Sequence, residues 1–172
     1  MYNAILYPTN GSDGAEAALE NVRDLARTYD ATVHILYVAD TKYAGYGLGA
    51  NPNGTKRTAM VSSAGGAGSA MVADQADAME FRAKKVQYGV DIVDEVAERL
   101  YDIDTERIVR GGEAYEVIRA YTERRDIDII VLGTGRKSGL SQYFHRGVAE
   151  KLIQNAEVPV MSVRKEDLLK RP

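Results

Sequence analysis

Short apolar runs alternate along the chain with longer segments in which apolar residues recur every three or four positions. Short runs rich in β-branched residues are typical of buried strands, and the longer spacing is typical of amphipathic helices. The predicted strands are 4–7, 32–38, 107–110, 128–132 and 158–163. The predicted helices are 13–29, 72–101, 113–124 and about 142–153, with Val86 and Ile153 among the residues expected to face inward. This alternation indicates an α/β fold with an open, doubly wound parallel sheet.

Two connections in this pattern follow the carboxyl ends of strands. Residues 8–13 are predicted to be a loop, because Pro8 lacks the N–H needed for further strand pairing, and Ser12 or Asp13 is predicted to cap the next helix. The glycine-rich residues 133–139 are predicted to leave the fourth strand and to wrap a small ligand. Ligands bind at such loops in open parallel sheets, because helix N-termini and free backbone amides meet there.

A third connection, residues 43–70, breaks the apolar pattern. It is rich in glycine, alanine and serine, and holds a large share of the chain's 16 glycines. We interpret it as a long insertion within a single domain spanning 1–172. Such a loop can be an inert, variable insertion or a functional lid, and we favour the inert insertion.

The overall composition limits the classes of function. A formal net charge of -3 gives no general attraction to nucleic acid or to an anionic membrane. The sequence has no cysteine, which excludes disulfides and thiolate metal sites, and no segment with the character of a signal peptide or a membrane span. We therefore expect a soluble cytoplasmic protein without nucleic-acid or membrane partners.

The chain contains four short motifs in a specific order, at 5–12, 33–40, 126–135 and 158–160. Together they resemble the universal stress protein family over nearly the whole chain except 43–70. The resemblance implies a five-stranded parallel sheet of order 3-2-1-4-5 with helices on both faces. It also implies a cytoplasmic homodimer, joined through the last strand (Val158 to Val163), that serves stress survival and in many members holds AMP or ATP.

The resemblance places a nucleoside crevice between the first and fourth strands. Its adenine and ribose walls would be Pro8, Thr9 and Asn10 in the first loop, Val38 at the end of the second strand, and Gly133 after the fourth. These positions converge at the switch point of the sheet, which is the usual ligand site of this architecture. The family usually has aspartate where this chain has Asn10, so a neutral amide would replace a charged acceptor for a ribose hydroxyl.

The phosphate end of the crevice departs further from the family. ATP-binding members have glycine, two residues, glycine, nine residues, and then glycine followed by serine or threonine. Counted from Gly133, the later positions are Arg136, Arg146 and Gly147, with Val148 next to them. Phosphate must approach bare backbone amides, so these replacements predict weakened ATP binding in the family's usual pose and leave AMP, another anion or no ligand open.

Cationic side chains around the same loop would act in the opposite direction. Arg136, Lys137, His145 and Arg146 could pair with phosphate groups and offset lost amide contacts. The alternative, which we favour, is that they are solvated surface residues, because exposed ion pairs contribute little.

Other chemistry is not indicated by the sequence. His34 and His145 have no second histidine or cysteine at ligand spacing, and Ser12, Ser138 and Ser141 have no recognisable base partner. Three hypotheses follow: a stress-response protein with an adenine-nucleotide crevice and an altered phosphate loop, a dimeric module that binds a protein client and no nucleotide, and an ATP-hydrolysing switch. The third is the least favoured, because the sequence identifies no catalytic acid–base pair.

Overall fold

The computed structural model describes residues 1–40, 67–134 and 146–164, with all their side chains except those of 67–78 and 146. Strands and helices alternate within these ranges, as predicted. In chain order the elements are β1 (Ala4–Thr9), α1 (Asp13–Tyr29), β2 (Thr32–Ala39), α2 (Ala67–Arg99), β3 (Thr105–Gly111), α3 (Ala114–Arg124), β4 (Ile129–Thr134), α4 (Arg146–Asn155) and β5 (Val160–Arg164). The strands form one parallel sheet of order β3-β2-β1-β4-β5, which confirms the predicted fold class.

Helices cover both faces of the sheet, because alternate residues of each central strand point to opposite sides. On one face, Ile5 and Tyr7 pack with residues of α1 and α2. On the other face, Leu6 packs with residues of α3 and α4. All three side chains have no exposed surface. Burial on both faces explains why the central strands are continuous apolar runs instead of alternating patterns.

Two strands are longer than their apolar runs. β1 includes Pro8 and Thr9, and β4 includes Gly133 and Thr134, although all four residues are predicted to be loop. The prediction is wrong because one partner strand, β2 or β5 respectively, continues to pair with each of these ends. β5 in contrast begins at Val160, two residues later than predicted.

The longest helix, α2, begins at Ala67 and not at Val72, so the end of the predicted insertion is helical, and residues 43–66 lie outside the described residues. With 33 residues it is about 50 Å long. Among its described side chains, buried residues occur only between Gly89 and Ala97. Val86 precedes this segment and is 45% exposed, so the prediction that it faces inward is wrong.

The last helix, α4, is described from Arg146 onward, and its predicted first residues lie outside the described ranges. It packs on the sheet through Val148 and Leu152. Ile153 is 56% exposed, contrary to the prediction, because it lies about 100° around the helix from Leu152. None of the helices in the described ranges combines the length and the apolar composition needed to cross a membrane.

The two edge strands of the sheet differ in chemistry. β3 exposes Glu106, Arg107 and Arg110, and the Arg107 guanidinium pairs with the Asp94 carboxylate of α2 at 3.0 Å. Charges on an edge strand discourage pairing with another strand. β5 is mostly apolar, with Val160, Met161 and Val163 all partly buried.

Candidate functional site

The hydrogen bonds on the two sides of β1 show which neighbour each residue faces. The carbonyl of Asn3 accepts the N–H of Thr32 at 2.9 Å, and the carbonyl of Ala4 accepts the N–H of Asp128 at 2.9 Å. Because the backbone groups of successive strand residues point to opposite sides, odd-numbered residues of β1 face β2 and even-numbered residues face β4. Pro8 therefore faces β4.

Pro8 ends the pairing of β1 on one side only. The residue pairs between β1 and β4 stop at Leu6 with Ile130, whereas those between β1 and β2 continue to Thr9 with Tyr37. Proline has no N–H, so it cannot donate the next hydrogen bond to β4. The two central strands consequently separate at their carboxyl ends, and we call this place the β1–β4 opening. The predicted effect of Pro8 on pairing is thus confirmed toward β4 and wrong toward β2.

The turn that follows β1 is held by its own side chains. The N–H of Gly11 donates to Thr9 Oγ1 at 3.2 Å, and the N–H of Ser12 donates to Asn10 Oδ1 at 3.1 Å. Ser12 then caps α1, because its Oγ accepts the N–H of Ala15 at 3.3 Å. Gly11 has a φ of +69°, a conformation that favours glycine. Asn10 is partly exposed, and its amide oxygen retains a second lone pair for a ligand.

Val38 borders the β1–β4 opening on the side of β2. It faces β1, because Thr32 faces β1 and the register between the two strands is unbroken. A regular ladder would bring the N–H of Gly11 to the carbonyl of Val38, but that N–H turns to Thr9 Oγ1 instead. The Val38 carbonyl therefore faces the open end of β1 as a hydrogen-bond acceptor.

Gly133 lies near the carboxyl end of β4, beside the opening, and it is in contact with α1. A Cβ at this position would lie 2.7 Å from Cα of Ala15 and closer still to the carbonyl of Gly14. Such distances are far below ordinary packing contacts, so the first turn of α1 rests directly on the backbone of β4. The fold itself thus requires glycine at this position, whether or not a ligand binds.

Three of the predicted phosphate positions, Arg146, Gly147 and Val148, are the first described residues of α4. Gly147 has no positive φ, and a Cβ there would meet nothing within 4 Å. Val148 is 8% exposed and packs in the core between α4 and the sheet, so only its backbone could meet a ligand. Arg136, like Lys137 and His145, lies outside the described residues, as does the side chain of Arg146.

His34 lies in the core and not at the opening. Its Nδ1 is 2.9 Å from the hydroxyl of Tyr121 and 3.5 Å from the carboxylate of Glu106. Burial lowers the pKa of His34, while the carboxylate of Glu106 opposes this effect. Within the described ranges, no group of histidine and acidic residues has the arrangement of a metal site.

Lys85 is a polar residue near the opening that the sequence pattern does not reveal. Its Nζ donates to the carbonyl of Asp40 at 2.8 Å, and it lies 4.7 Å from the centre of the Phe81 ring. Burial lowers the pKa of Lys85, and the neighbouring Asp40 carboxylate partly opposes this. In the sequence it is one of several charged residues on α2, which as a group are predicted to be solvated.

Comparisons of the sequence with a family model and with known proteins all identify the same family. The model of the universal stress protein family matches residues 1–164. The universal stress protein MJ0531 of Methanocaldococcus jannaschii is 29% identical over 165 residues, which are 96% of this chain and 84% of that protein. The universal stress protein MJ0577 of the same organism is 25% identical over 169 residues, covering 97% of this chain and 98% of that protein.

Solved structures share the fold at lower sequence identity. The structure of MJ0577 superposes with a TM-score of 0.68 at 21% identity, covering 95% of this chain and 96% of that one. A universal stress protein family protein from Arabidopsis thaliana, solved with AMP bound, superposes with a TM-score of 0.55 at 17% identity, covering 94% and 91%. Since the family model spans residues 1–164, almost its whole length, this chain belongs to the universal stress protein family.

Proposed function

We propose that this chain is a stress-response protein that binds the nucleoside part of an adenine nucleotide in the β1–β4 opening, and that it binds ATP no more tightly than AMP. The observation that carries the proposal is the one-sided end of pairing at Pro8, which separates β1 from β4 at the switch point of the sheet. Ligands of doubly wound folds bind at this point. AMP binding by the Arabidopsis thaliana protein supports the same ligand class.

The base and ribose would be held by three partly exposed residues around the opening: Asn10, Val38 and Gly133. The carbonyl of Val38 can accept a hydrogen bond from the exocyclic amine of adenine, and the amide oxygen of Asn10 can accept one from a ribose hydroxyl. Pro8 and Thr9 are buried, so they act by shaping the opening and its turn. The site is therefore complete for a nucleoside without any contribution from the phosphate loop.

The phosphate end supports a short chain of phosphates. The predicted phosphate positions include the first described residues of α4, Arg146 and Gly147, and the backbone amides of a helix N-terminus can bind one phosphate group. A triphosphate needs several bare amides in succession. Arg136 and Arg146 replace two of the glycines that provide such amides in ATP-binding members of the family, so we expect no gain in affinity from the second and third phosphates.

Calorimetric titration of the full chain with adenosine, AMP and ATP tests this proposal. We expect adenosine and AMP to bind, and ATP to bind no more tightly than AMP. Tighter binding of ATP than of AMP, weakened by Arg136→Gly and Arg146→Gly, would show that the arginines are phosphate ligands and would overturn the expectation that the second and third phosphates add no affinity. If none of the three ligands bound, the nucleoside site itself would be refuted, and a module that contacts only proteins would be favoured.

A restoring variant makes the test sharper. The triple substitution R136G, R146G and G147S recreates the glycine and serine spacing of ATP-binding members of the family. Serine fits at 147, because a Cβ there meets nothing within 4 Å. We expect the variant to gain ATP affinity while its affinity for adenosine stays unchanged, and Gly147→Ala alone serves as the matched control.

We also propose that the protein is a cytoplasmic homodimer joined through β5. The N–H of Ile130 donates to the carbonyl of Pro159 at 3.0 Å, so Pro159 faces β4 and, by alternation, Ser162 faces the free edge. An apolar edge strand with free backbone groups pairs readily with its own copy across a two-fold axis.

The position of Ser162 allows the interface to be tested without disturbing the sheet. Ser162→Pro removes an N–H only from the free edge, where proline is tolerated, and leaves the pairing with β4 intact. By light scattering at micromolar concentration, we expect a dimer for the wild type and for Ser162→Ala, and a monomer for Ser162→Pro. A monomeric wild type, or a dimeric Ser162→Pro variant, would refute this interface.

A further inference from the structure

Helix α2 contacts the carboxyl end of β2 at two points. Gly89 packs on the ring of Tyr37, and a Cβ at position 89 would lie 2.8 Å from the ring carbon Cε1. One turn earlier, Lys85 Nζ donates to the carbonyl of Asp40 at 2.8 Å. Asp40 directly follows β2 and lies two residues beyond Val38. The lysine therefore holds the main chain where it leaves the wall of the β1–β4 opening.

The neighbouring lysine shows that this contact is not a general property of the helix surface. The side chain of Lys84 is 74% exposed and pairs with Glu80 on the same helix at 2.7 Å. Lys85 is partly buried and reaches a backbone carbonyl 45 residues away in the chain. An ammonium group removed from water and fixed on a carbonyl restrains the backbone more than a solvated ion pair does.

We propose that Lys85 is a positioning residue for the base end of the β1–β4 opening: its hydrogen bond to Asp40 fixes the exit of β2 and thereby aims the Val38 carbonyl at the exocyclic amine of a bound adenine. This inference rests on the nucleoside site proposed above. It adds a residue of α2, a helix outside the crevice motifs of the sequence, to the determinants of ligand binding. Lys85 acts through the backbone and does not touch the ligand.

The effect of such a residue should be independent of the phosphate groups, because Val38 meets the base. Replacement by methionine keeps a long, mainly apolar side chain over Phe81 and removes the ammonium group, that is, both the donor and its charge. Replacement by arginine keeps a cationic donor that can reach the same carbonyl. Lys84→Met provides the matched control, because it removes the same charge one position earlier on the same helix.

The experiment is calorimetric titration of the wild type, Lys85→Met, Lys85→Arg and Lys84→Met with adenosine and with AMP, with circular dichroism as a check of folding. We expect Lys85→Met to weaken both ligands by the same factor of about ten, Lys85→Arg to restore most of the affinity, and Lys84→Met to bind as the wild type does. A Lys85→Met variant with unchanged affinity would overturn the inference.

Two other results of the titration would have different meanings. A loss for Lys85→Met that is much larger with AMP than with adenosine would mean that the ammonium contacts phosphate directly, which also overturns the positioning role. A wild type that binds neither ligand would refute the nucleoside site, and the inference would fail with it. Unchanged affinity in Lys85→Met beside a binding wild type would refute Lys85 alone.

Discussion

The two connections that border the β1–β4 opening are built on different principles. In the turn between β1 and α1, the polar side chains of Thr9, Asn10 and Ser12 all accept backbone hydrogen bonds, so the turn is specified by its own sequence. In the connection between β4 and α4, the two glycines at its ends have opposite surroundings. Gly133 is pressed against the backbone of α1, whereas Gly147 faces open space.

This difference separates glycines that the fold requires from glycines that a ligand requires. Gly133 agrees with the family pattern, and packing alone accounts for it. Position 146 has a helical backbone in α4, which side chains other than that of proline adopt readily. Its glycine can therefore be lost without damage to the fold, and only phosphate binding should suffer.

The largest effect is expected from Gly133→Ala, and Gly147→Ala provides the contrast. Gly133→Ala should lower the free energy of unfolding by about 3 kcal/mol or more, because the new methyl group overlaps the backbone of α1. Gly147→Ala should leave stability unchanged or raise it by up to about 1 kcal/mol, as is usual in a helix. Urea denaturation of both variants measures the contrast. Similar losses in the two variants would break the comparison.

A smaller effect is expected at the link between β1 and α1. The hydroxyl of Tyr7 donates to the carbonyl of Ala15 at 2.8 Å, and burial raises the pKa of Tyr7, so the phenol stays a donor across the neutral range. Tyr7→Phe should cost about 1 kcal/mol of unfolding free energy. Since the carbonyl of Ala15 lies next to the contact with Gly133, a double-mutant cycle with Gly133→Ala should show coupling. Additive losses would argue against a shared contact.

The N-cap of α1 should contribute a comparable or slightly smaller amount. Ser12→Ala removes the acceptor for the N–H of Ala15 and should cost about 1 kcal/mol. Ser12→Asp keeps an acceptor and adds a negative charge at the helix N-terminus, so its stability should stay close to that of the wild type. Thermal unfolding of the two variants would reveal the difference. Equal stability of Ser12→Ala and the wild type would show that the turn is held without the cap.

The smallest effect is expected at Asn10, and it concerns the ligand more than the fold. Asn10→Asp keeps an oxygen for the N–H of Ser12, so stability should change little. A carboxylate is a stronger acceptor for a ribose hydroxyl than an amide is. Adenosine affinity should rise about threefold to tenfold in a calorimetric titration, whereas 2′,3′-dideoxyadenosine should show no gain. A gain for both compounds would place the ribose elsewhere.

Much of the fold could be predicted from the sequence, because buried parallel strands leave a simple record of continuous apolar runs. The ends of the strands depend on contacts that the sequence does not reveal. Proline removes one donor, and only the geometry of the sheet shows that this donor would have faced β4. Gly133 continues β4 because β5 pairs with it, and no local signal reports that pairing or the close contact with α1.

The candidate site also contains residues that could be predicted from the sequence and one that could not. Pro8, Asn10, Val38 and Gly133 are implied by the family resemblance, and all four lie at the carboxyl ends of β1, β2 and β4. Lys85 could not be predicted, because only its angular position on α2 distinguishes it from Lys84. The relevance of that angle depends on where β2 ends and how the helix crosses it, which are properties of the assembled fold.

The charged edge at β3 sets a limit on how copies of this protein can associate. A sheet with two adhesive edges would add copies at both ends and grow into a filament, whereas one with a single adhesive edge stops after two. Because Glu106, Arg107 and Arg110 are exposed along β3, growth from that side is disfavoured. Association through β5 would then close on itself and yield a finite particle, even at high protein concentration.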